Sequence, residues 1–288
     1  KATGAIPIPC DVDEDNLLID IEDAKSKITN RTKAIIPVHY TGGVGDLNSL
    51  YEFAQKNKIR VIEDAAHAFG TIYNSNLIGS IGDIVCFSFD GIKNITSGEG
   101  GCIISNDKKI IERVQNSRLL GVENDSKSRY KNARSWDFNV KRQGWRYHMS
   151  NVMAAIGIEQ LKKRDLFFSK RKLLAVKYDQ LFENVKDISS LQRDYENVVP
   201  HIYVVRINNL DDRNTLKEEL LKRGIQVGIH YKPNHKLEYF KTGEKIILPV
   251  TDRVYSEVIS LPIHPDLDLK DIEYVAKTLI KILPKYLK

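Results

Sequence analysis

The sequence has 288 residues, of which 42% are hydrophobic and 28% are charged, and its formal net charge is +6. These proportions are typical of a soluble globular protein, and the length suggests about two domains. Every apolar run is far too short to cross a bilayer, which excludes a membrane-spanning chain. The sequence has no basic patch with interleaved aromatic residues, so it does not predict nucleic-acid binding. Its three cysteines lack the spacing of metal ligands, so they predict no metal site, and their small number fits a reducing cytoplasm.

The first half of the chain alternates between strand and helix patterns. Asp46 and Asp107 each precede a stretch with apolar residues at helical spacing, and an aspartate in that place caps the first turn of a helix. Short apolar runs predict the intervening strands, which cover residues 33–38, 60–62, 84–89 and 102–105. This alternation predicts an α/β fold with a mostly parallel sheet covered by helices.

The second half is organised differently. Residues 122–145 are polar and weakly periodic, which predicts a long loop. Two helical runs follow, one that begins at Ser150 and one over residues 164–185. The remaining sequence mixes strands and helices, which we predict at residues 202–207, 213–223, 225–229 and 272–283. We therefore expect a large domain over residues 1–164 and a smaller α+β C-terminal domain over residues 165–288.

A single lysine follows the buried strand at residues 84–89. Lys93 lies within FSFDGIKNITSGEGG, residues 87–101, where the chain turns through glycines and then returns to the sheet. Sheets of α/β proteins bind ligands beyond the carboxyl ends of their strands. A partly desolvated lysine in that place has a lowered pKa, and its neutral amine can attack an aldehyde. Lys93 is therefore a candidate nucleophile.

The preceding strand ends in an acid. Residues 60–70, RVIEDAAHAFG, place Asp64 at the end of the strand and small residues after it. A carboxylate there could cap a helix or face water, but beside Lys93 it has a specific use. Pyridoxal phosphate needs a lysine on its aldehyde carbon and an anion against its ring nitrogen. Ser88, near the end of the next strand, could donate its hydroxyl to the phosphate of that cofactor.

Together these segments resemble the sugar-nucleotide aminotransferases of the DegT/StrS type, pyridoxal-phosphate enzymes of the aspartate-aminotransferase fold (PLP fold type I). The resemblance rests first on EDAAH at residues 63–67 and on residues 87–101. It covers nearly the whole chain, because further matching segments lie at residues 32–39, 144–151, 229–235 and 260–265. IKNIT at residues 92–96 is most similar to the enzymes that aminate carbon 4 of a nucleotide-linked keto sugar.

The resemblance implies a role for several side chains. Lys93 would bind the cofactor and shuttle a proton between it and the substrate carbon, while Asp64 would hold the charge of the ring nitrogen. His67 would contact the phenolic oxygen of the cofactor. Ser88 would contact the phosphate, and His148 would reach the phosphate of a neighbouring subunit. The substrate would be bound by Arg146, His230, Tyr231 and His235.

Other residues are open to more than one interpretation. Asp90 stands where family members often carry histidine, and it could interact with the substrate or stabilise the turn before Lys93. His201 and His264 are interpreted as packing residues of the small domain. A sugar dehydratase of the same fold carries histidine in place of the lysine, so Lys93 argues against that activity.

The implied function is transfer of an amino group from glutamate to a nucleotide diphosphate-linked 4-keto-6-deoxy sugar. The resemblance implies a cytoplasmic homodimer with shared active sites that serves the synthesis of surface polysaccharide of the O-antigen type. A 3-keto sugar aminotransferase, an amino-acid aminotransferase and a non-catalytic regulatory protein remain open. Because relatives carry a further N-terminal portion with a phosphate-holding turn, we expect that portion to be missing from these 288 residues.

Overall fold

The computed structural model of this protein describes residues 1–123, 138–241 and 246–288. Most of the long loop that the sequence predicts at residues 122–145 lies outside the described residues. Within the described part of the chain, no helix combines the length and the apolar character that crossing a bilayer would require.

A four-stranded sheet organises the N-terminal half. The strands of this half are β1 (Ala34–Ile35), β2 (Arg60–Asp64), β3 (Ile72–Tyr73), β4 (Asn76–Leu77), β5 (Ile84–Ser88) and β6 (Gly101–Ile104). The sheet has the order β1-β2-β5-β6, while β3 and β4 form a separate hairpin. β1, β2 and β5 are parallel, and β6 is antiparallel to β5. The parallel strands therefore end at one edge, where Asp64 and Ser88 lie.

Three helices accompany this sheet: α1 (Ile21–Ser26), α2 (Leu47–Lys56) and α3 (Lys108–Ser117). Each follows an aspartate whose carboxylate accepts hydrogen bonds from backbone N–H groups of the first turn. These bonds satisfy donors that the start of a helix would otherwise leave without a partner. The caps predicted at Asp46 and Asp107 are confirmed.

The C-terminal half contains a second sheet. α4 (Asn151–Lys162), which Ser150 caps, and α5 (Arg164–Phe182) lead into it. Its antiparallel strands are β7 (Ile188–Ser190), β8 (Tyr203–Ile207) and β9 (Val258–Leu261), in that order. The later helices are α6 (Arg213–Lys222), α7 (Pro249–Glu257) and α8 (Leu269–Ile282). Short 3₁₀ turns lie at Tyr40–Gly42, Asn234–Lys236, Glu238–Phe240 and Leu283–Lys285.

Separate apolar cores lie under the two sheets. The core of the three-stranded sheet packs strand residues such as Ile207 against Tyr178 of α5 and Leu279 of α8, all fully buried. The core of the four-stranded sheet packs Val61 of β2 against Leu50 of α2. Each core stabilises its own sheet because the buried apolar surface of its strands is removed from water.

The α/β character is confirmed, and the sheet of the N-terminal half is mixed. The strand predicted at residues 225–229 is wrong, since only Gly228 pairs, through two backbone hydrogen bonds with Ser260. Ile225 is buried in the core instead, so its apolar character reflects packing and not a ladder. The helix predicted over residues 164–185 ends at Phe182. The domain limits at residues 1–164 and 165–288 stay a prediction.

Candidate active site

Lys93 lies in a turn just beyond the end of β5. Its backbone N–H donates to the carbonyl oxygen of Asp90 at 3.0 Å, and the N–H of Ser97 donates to that of Phe89 at 2.9 Å. Burial lowers the pKa of the Lys93 amine, while the nearby carboxylates of Asp90 and Asp64 act in the opposite direction. The net result is a larger fraction of neutral amine, which is the nucleophilic form.

Asp64 is the last residue of β2 and lies in register with Cys86 of β5. One carboxylate oxygen accepts a hydrogen bond from the N–H of Ala66 at 3.1 Å. The negative charge favours the protonated form of Lys93 and raises the pKa of Tyr231 after the larger effect of burial. The structure therefore brings Lys93 and Tyr231 close enough to Asp64 for its charge to act on both side chains. We call this group the neighbourhood of Asp64.

His67 connects this neighbourhood to the C-terminal half. The ring is 7% exposed, and its Nε2 lies 3.1 Å from the hydroxyl oxygen of Tyr231. Burial, followed by the positive charges of Lys93 and His230, lowers the pKa of His67 to about 3. The ring is therefore neutral at physiological pH, so one ring nitrogen donates and the other accepts.

Ser88 and Asp90 hold the chain between β5 and Lys93. The hydroxyl oxygen of Ser88 accepts a hydrogen bond from the N–H of Asp90 at 3.3 Å. The Asp90 carboxylate accepts one from the N–H of Ile92 at 3.2 Å. These contacts are those of a turn-stabilising carboxylate, so the structure supports the structural interpretation of Asp90.

The segment at residues 145–149 lies beside the lysine turn. The φ of Gly100 is +149°, a backbone conformation that residues with a Cβ atom rarely adopt, and a Cβ atom there would lie 2.6 Å from Cε of Met149. Arg146 is exposed, whereas His148 is partly buried. The buried Nδ1 of His148 has no hydrogen-bond partner in the part of the chain that the structure describes.

The three residues of the C-terminal half that are predicted to bind substrate each contact a different part of the structure. Tyr231 contacts His67, as described above. His230 Nδ1 lies 2.7 Å from the hydroxyl oxygen of Ser260 on β9. His235 Nε2 lies 2.9 Å from a carboxylate oxygen of Asp252 on α7. The His235 ring is thus engaged with α7, and it is not brought into contact with Lys93 or His67.

Sequence reasoning missed the place of His201. The residue is buried, as predicted for packing, but its ring lies 4.3 Å from that of His67. Burial, then the charges of His67 and Lys93, lowers the pKa of His201 to about 2. No sequence pattern links two histidines on separate loops. The packing role predicted for His264 is wrong, because that side chain is exposed, with Nδ1 4.0 Å from a carboxylate oxygen of Asp266.

These residues fit pyridoxal phosphate. Lys93 offers an amine of lowered pKa for the aldehyde, and Asp64 offers a carboxylate for the ring nitrogen. His67 offers Nδ1, a buried polar atom without a partner among the described residues. A buried imidazole nitrogen left unpaired is costly, and a polar ligand atom would satisfy it.

The family whose model matches residues 1–280 is described as the DegT/DnrJ/EryC1/StrS aminotransferase family. An uncharacterized protein of Methanocaldococcus jannaschii is 36% identical over 287 residues, which cover 97% of this chain and 74% of the relative.

Solved structures of sugar aminotransferases are also similar to this chain. Spr1654 of Streptococcus pneumoniae, named as a sugar aminotransferase and solved in PMP and PLP forms, is similar at a TM-score of 0.90 and 27% identity for the PMP form. That match covers 99% of this chain and 78% of the other. Helicobacter pylori PseC, an aminotransferase involved in the biosynthesis of pseudoaminic acid, is similar at a TM-score of 0.88 and 26% identity, over 99% of this chain and 76% of the other.

Proposed function

Because this chain belongs to the DegT/DnrJ/EryC1/StrS aminotransferase family, it is a pyridoxal-phosphate-dependent sugar aminotransferase, and we propose that it aminates a nucleotide diphosphate-linked 4-keto-6-deoxy sugar with glutamate as amino donor. The observation that carries the chemistry is the partly buried amine of Lys93 beside Asp64 and His67. The sugar specificity rests on the resemblance of residues 87–101 and 144–151 to enzymes that aminate carbon 4.

Lys93 has two tasks in this proposal. Its neutral amine binds the cofactor covalently, and once released it carries a proton to and from the reacting carbon. The lowered pKa serves both tasks, because an amine that gives up its proton more readily can act as a base and then, once protonated, as an acid. Bound pyridoxal phosphate supplies the electron sink that stabilises negative charge on that carbon.

Asp64 and the residues around it hold the cofactor in place. The carboxylate at the end of β2 keeps a proton on the ring nitrogen, and His67 presents a ring nitrogen to the phenolic oxygen. Ser88 and His148 are proposed phosphate contacts, since hydroxyl and imidazole donors are suited to a dianion. In the described structure Ser88 Oγ already accepts the N–H of Asp90, and its own hydrogen remains free to donate.

The proposed substrate contacts are Arg146, His230 and Tyr231, with His235 in a supporting place. Arg146 is exposed and can pair with a diphosphate. Tyr231 is 52% exposed and reaches His67, so its hydroxyl lies where a sugar could meet the cofactor. The bond between His235 and Asp252 holds the loop that carries Tyr231 against α7.

The wider setting is also proposed. The enzyme would act as a cytoplasmic homodimer, with residues 1–164 binding the cofactor, residues 165–288 forming the small domain, and each subunit completing the site of its partner. Its product would supply the synthesis of surface polysaccharide of the O-antigen type. The alternation of two half-reactions requires one open site that accepts both glutamate and the keto sugar.

A substrate panel tests the proposal. The holoenzyme is incubated with glutamate and, in separate reactions, 4-keto nucleotide sugars, 3-keto nucleotide sugars and free 2-oxo acids, and the release of 2-oxoglutarate is followed. We expect turnover with a 4-keto-6-deoxy sugar. Turnover with 3-keto sugars alone would refute the carbon assignment, and turnover with 2-oxo acids alone would refute the sugar substrate. Absence of turnover by a cofactor-loaded protein would favour a regulatory role.

A further inference from the structure

A buried carboxylate lies next to Asp64 in the sequence and on the other face of β2. Glu63 is 1% exposed, in contrast to the partly buried Asp64, because successive side chains of a strand point to opposite faces. His39, also 1% exposed, has its Nε2 2.7 Å from one oxygen of the Glu63 carboxylate. A charged group buried to this extent must be paired or hydrogen-bonded to persist in the folded state.

The second oxygen of Glu63 is also occupied. The hydroxyl of Tyr51 on α2 donates to it at 2.5 Å, and the same hydroxyl accepts the N–H of Asp83 at 2.9 Å. A Cβ atom on Gly82 would lie 2.5 Å from this carboxylate oxygen. The loop before β5 therefore closes over Glu63, and α2, β2 and that loop all meet at one carboxylate.

The partner histidine is tied to Asp64 through the backbone. The N–H of Asp64 donates to the carbonyl oxygen of Pro37 at 2.9 Å, and the N–H of His39 donates to the carbonyl oxygen of Asp64 at 3.0 Å. His39 thus contacts β2 twice, with its side chain at Glu63 and with its backbone at Asp64. A displacement of the His39 ring would move the segment at residues 37–39, to which the backbone of Asp64 is hydrogen-bonded.

We propose that Glu63, held between His39 and Tyr51, is a positioning residue that fixes the carboxylate of Asp64 for the cofactor. The proposal rests on the role of Asp64 in the proposed function. Both carboxylate oxygens of Glu63 are held, one by the hydroxyl of Tyr51 and the other by Nε2 of His39. Glu63 acts through backbone geometry, because its side chain is on the face of β2 opposite to that of Asp64.

The test substitutes Glu63→Gln, which removes the charge and keeps the shape. We expect kcat of the holoenzyme to fall by about tenfold to a hundredfold while KM for glutamate changes little, because a small misplacement of a catalytic group costs about this much. The pH midpoint of the visible absorbance of the bound cofactor should also shift. The other ionisable groups in the neighbourhood of Asp64, namely Lys93, Tyr231, Cys86 and His67, are unchanged in this variant.

Two further variants keep the test decisive. Tyr203→Phe removes a hydroxyl that donates to the partly buried Asp179 at 2.5 Å, far along the chain, so it should lower the melting temperature without moving the absorbance midpoint. Tyr51→Phe removes one donor to Glu63 without changing any charge, and should shift the midpoint even if Glu63→Gln does not fold. An unmoved midpoint in both the Glu63 and Tyr51 variants would overturn the inference.

Asp64→Asn separates this inference from the function on which it rests. If Asp64→Asn lowers turnover and Glu63→Gln changes neither turnover nor the absorbance midpoint, only the positioning role fails. If Asp64→Asn leaves turnover unchanged, the proposed role of Asp64 fails, and the inference fails with it. Loss of turnover in both variants, with a shifted midpoint in each, supports both statements.

Discussion

The loops that follow β2 and β5 differ from the three-stranded sheet in the kind of side chain that they bury. All residues of β9 and four of five in β8 are buried, and their apolar side chains pack into two apolar clusters, one on each face of the sheet. The loops around Lys93 instead bring together a partly buried amine and carboxylate with the buried imidazoles of His67 and His201. Among the described residues, every buried side-chain nitrogen or oxygen without a hydrogen-bond partner belongs to one of six residues: His39, His67, Asn94, His148, Arg171 and His201.

This contrast separates stability from function. Folded proteins pair nearly all their buried polar groups, so unpaired ones concentrated in one region need an explanation. Four of them lie beside the predicted cofactor site, namely His67, Asn94, His148 and His201. His39 contacts Glu63, and Arg171 donates to the carbonyl oxygen of His201, whereas the described part after residue 201 contributes none. The C-terminal sheet is thus built for packing, and the strand ends retain polar groups that a ligand can use.

The largest effect is expected at Asp64. Asp64→Asn removes the charge that we propose to face the ring nitrogen of the cofactor, and we expect turnover to fall by about 10²–10³-fold, which is about 2.7–4 kcal/mol. The matched control is Asp179→Asn, because that carboxylate is also partly buried but accepts the hydroxyl of Tyr203 instead. Steady-state rates should drop in the first variant alone. Equal rates for the wild type and Asp64→Asn would remove the functional side of the comparison.

A core substitution should show the reverse pattern. Ile207 of β8 is fully buried, and Ile207→Ala is expected to lower the free energy of unfolding by about 2–5 kcal/mol. Turnover per folded molecule should be unchanged, since Ile207 contacts none of the site residues described above. Leu221→Ala, at a residue that is 61% exposed, should have almost no effect on denaturant midpoints. A loss of kcat in folded Ile207→Ala would show that the two regions are coupled.

The smallest effect concerns pH. Burial holds the pKa of His67 near 3 and that of His201 near 2, against an ordinary value of 6.5. Below about pH 6.5 these two histidines become protonated in the unfolded chain but stay neutral in the folded protein. Their contribution to stability is therefore fully present above that pH and is lost as the pH falls toward 3. Each ring contributes at most about 1.4 kcal/mol per pH unit.

His201→Phe tests this linkage. Unfolding free energies measured at pH 7 and pH 5 should differ less in the variant than in the wild type, because one of the two rings no longer takes up a proton on unfolding. Identical pH dependence in the two proteins would show that His201 is not kept neutral by burial.

Some features were predictable from sequence because they are local. The helix caps at Asp46 and Asp107 need only a side chain and the three residues after it, and the lysine after β5 is visible as a motif. The contact between His67 and His201 and the pair of Glu63 and His39 join separate segments, so they depend on the tertiary fold. The error at residues 225–229 has the same origin, because an apolar residue such as Ile225 can serve a core as well as a ladder.

The role of Lys93 is tested most directly by finding which residue carries the cofactor. The holoenzyme is reduced with borohydride, digested and analysed by mass spectrometry, with Lys93→Ala as the control. We expect the reduced cofactor on the peptide that contains Lys93 and on no other, and we expect the control to be unlabelled. Label on a different lysine, or an unlabelled protein that retains its cofactor absorbance before reduction, would contradict this expectation.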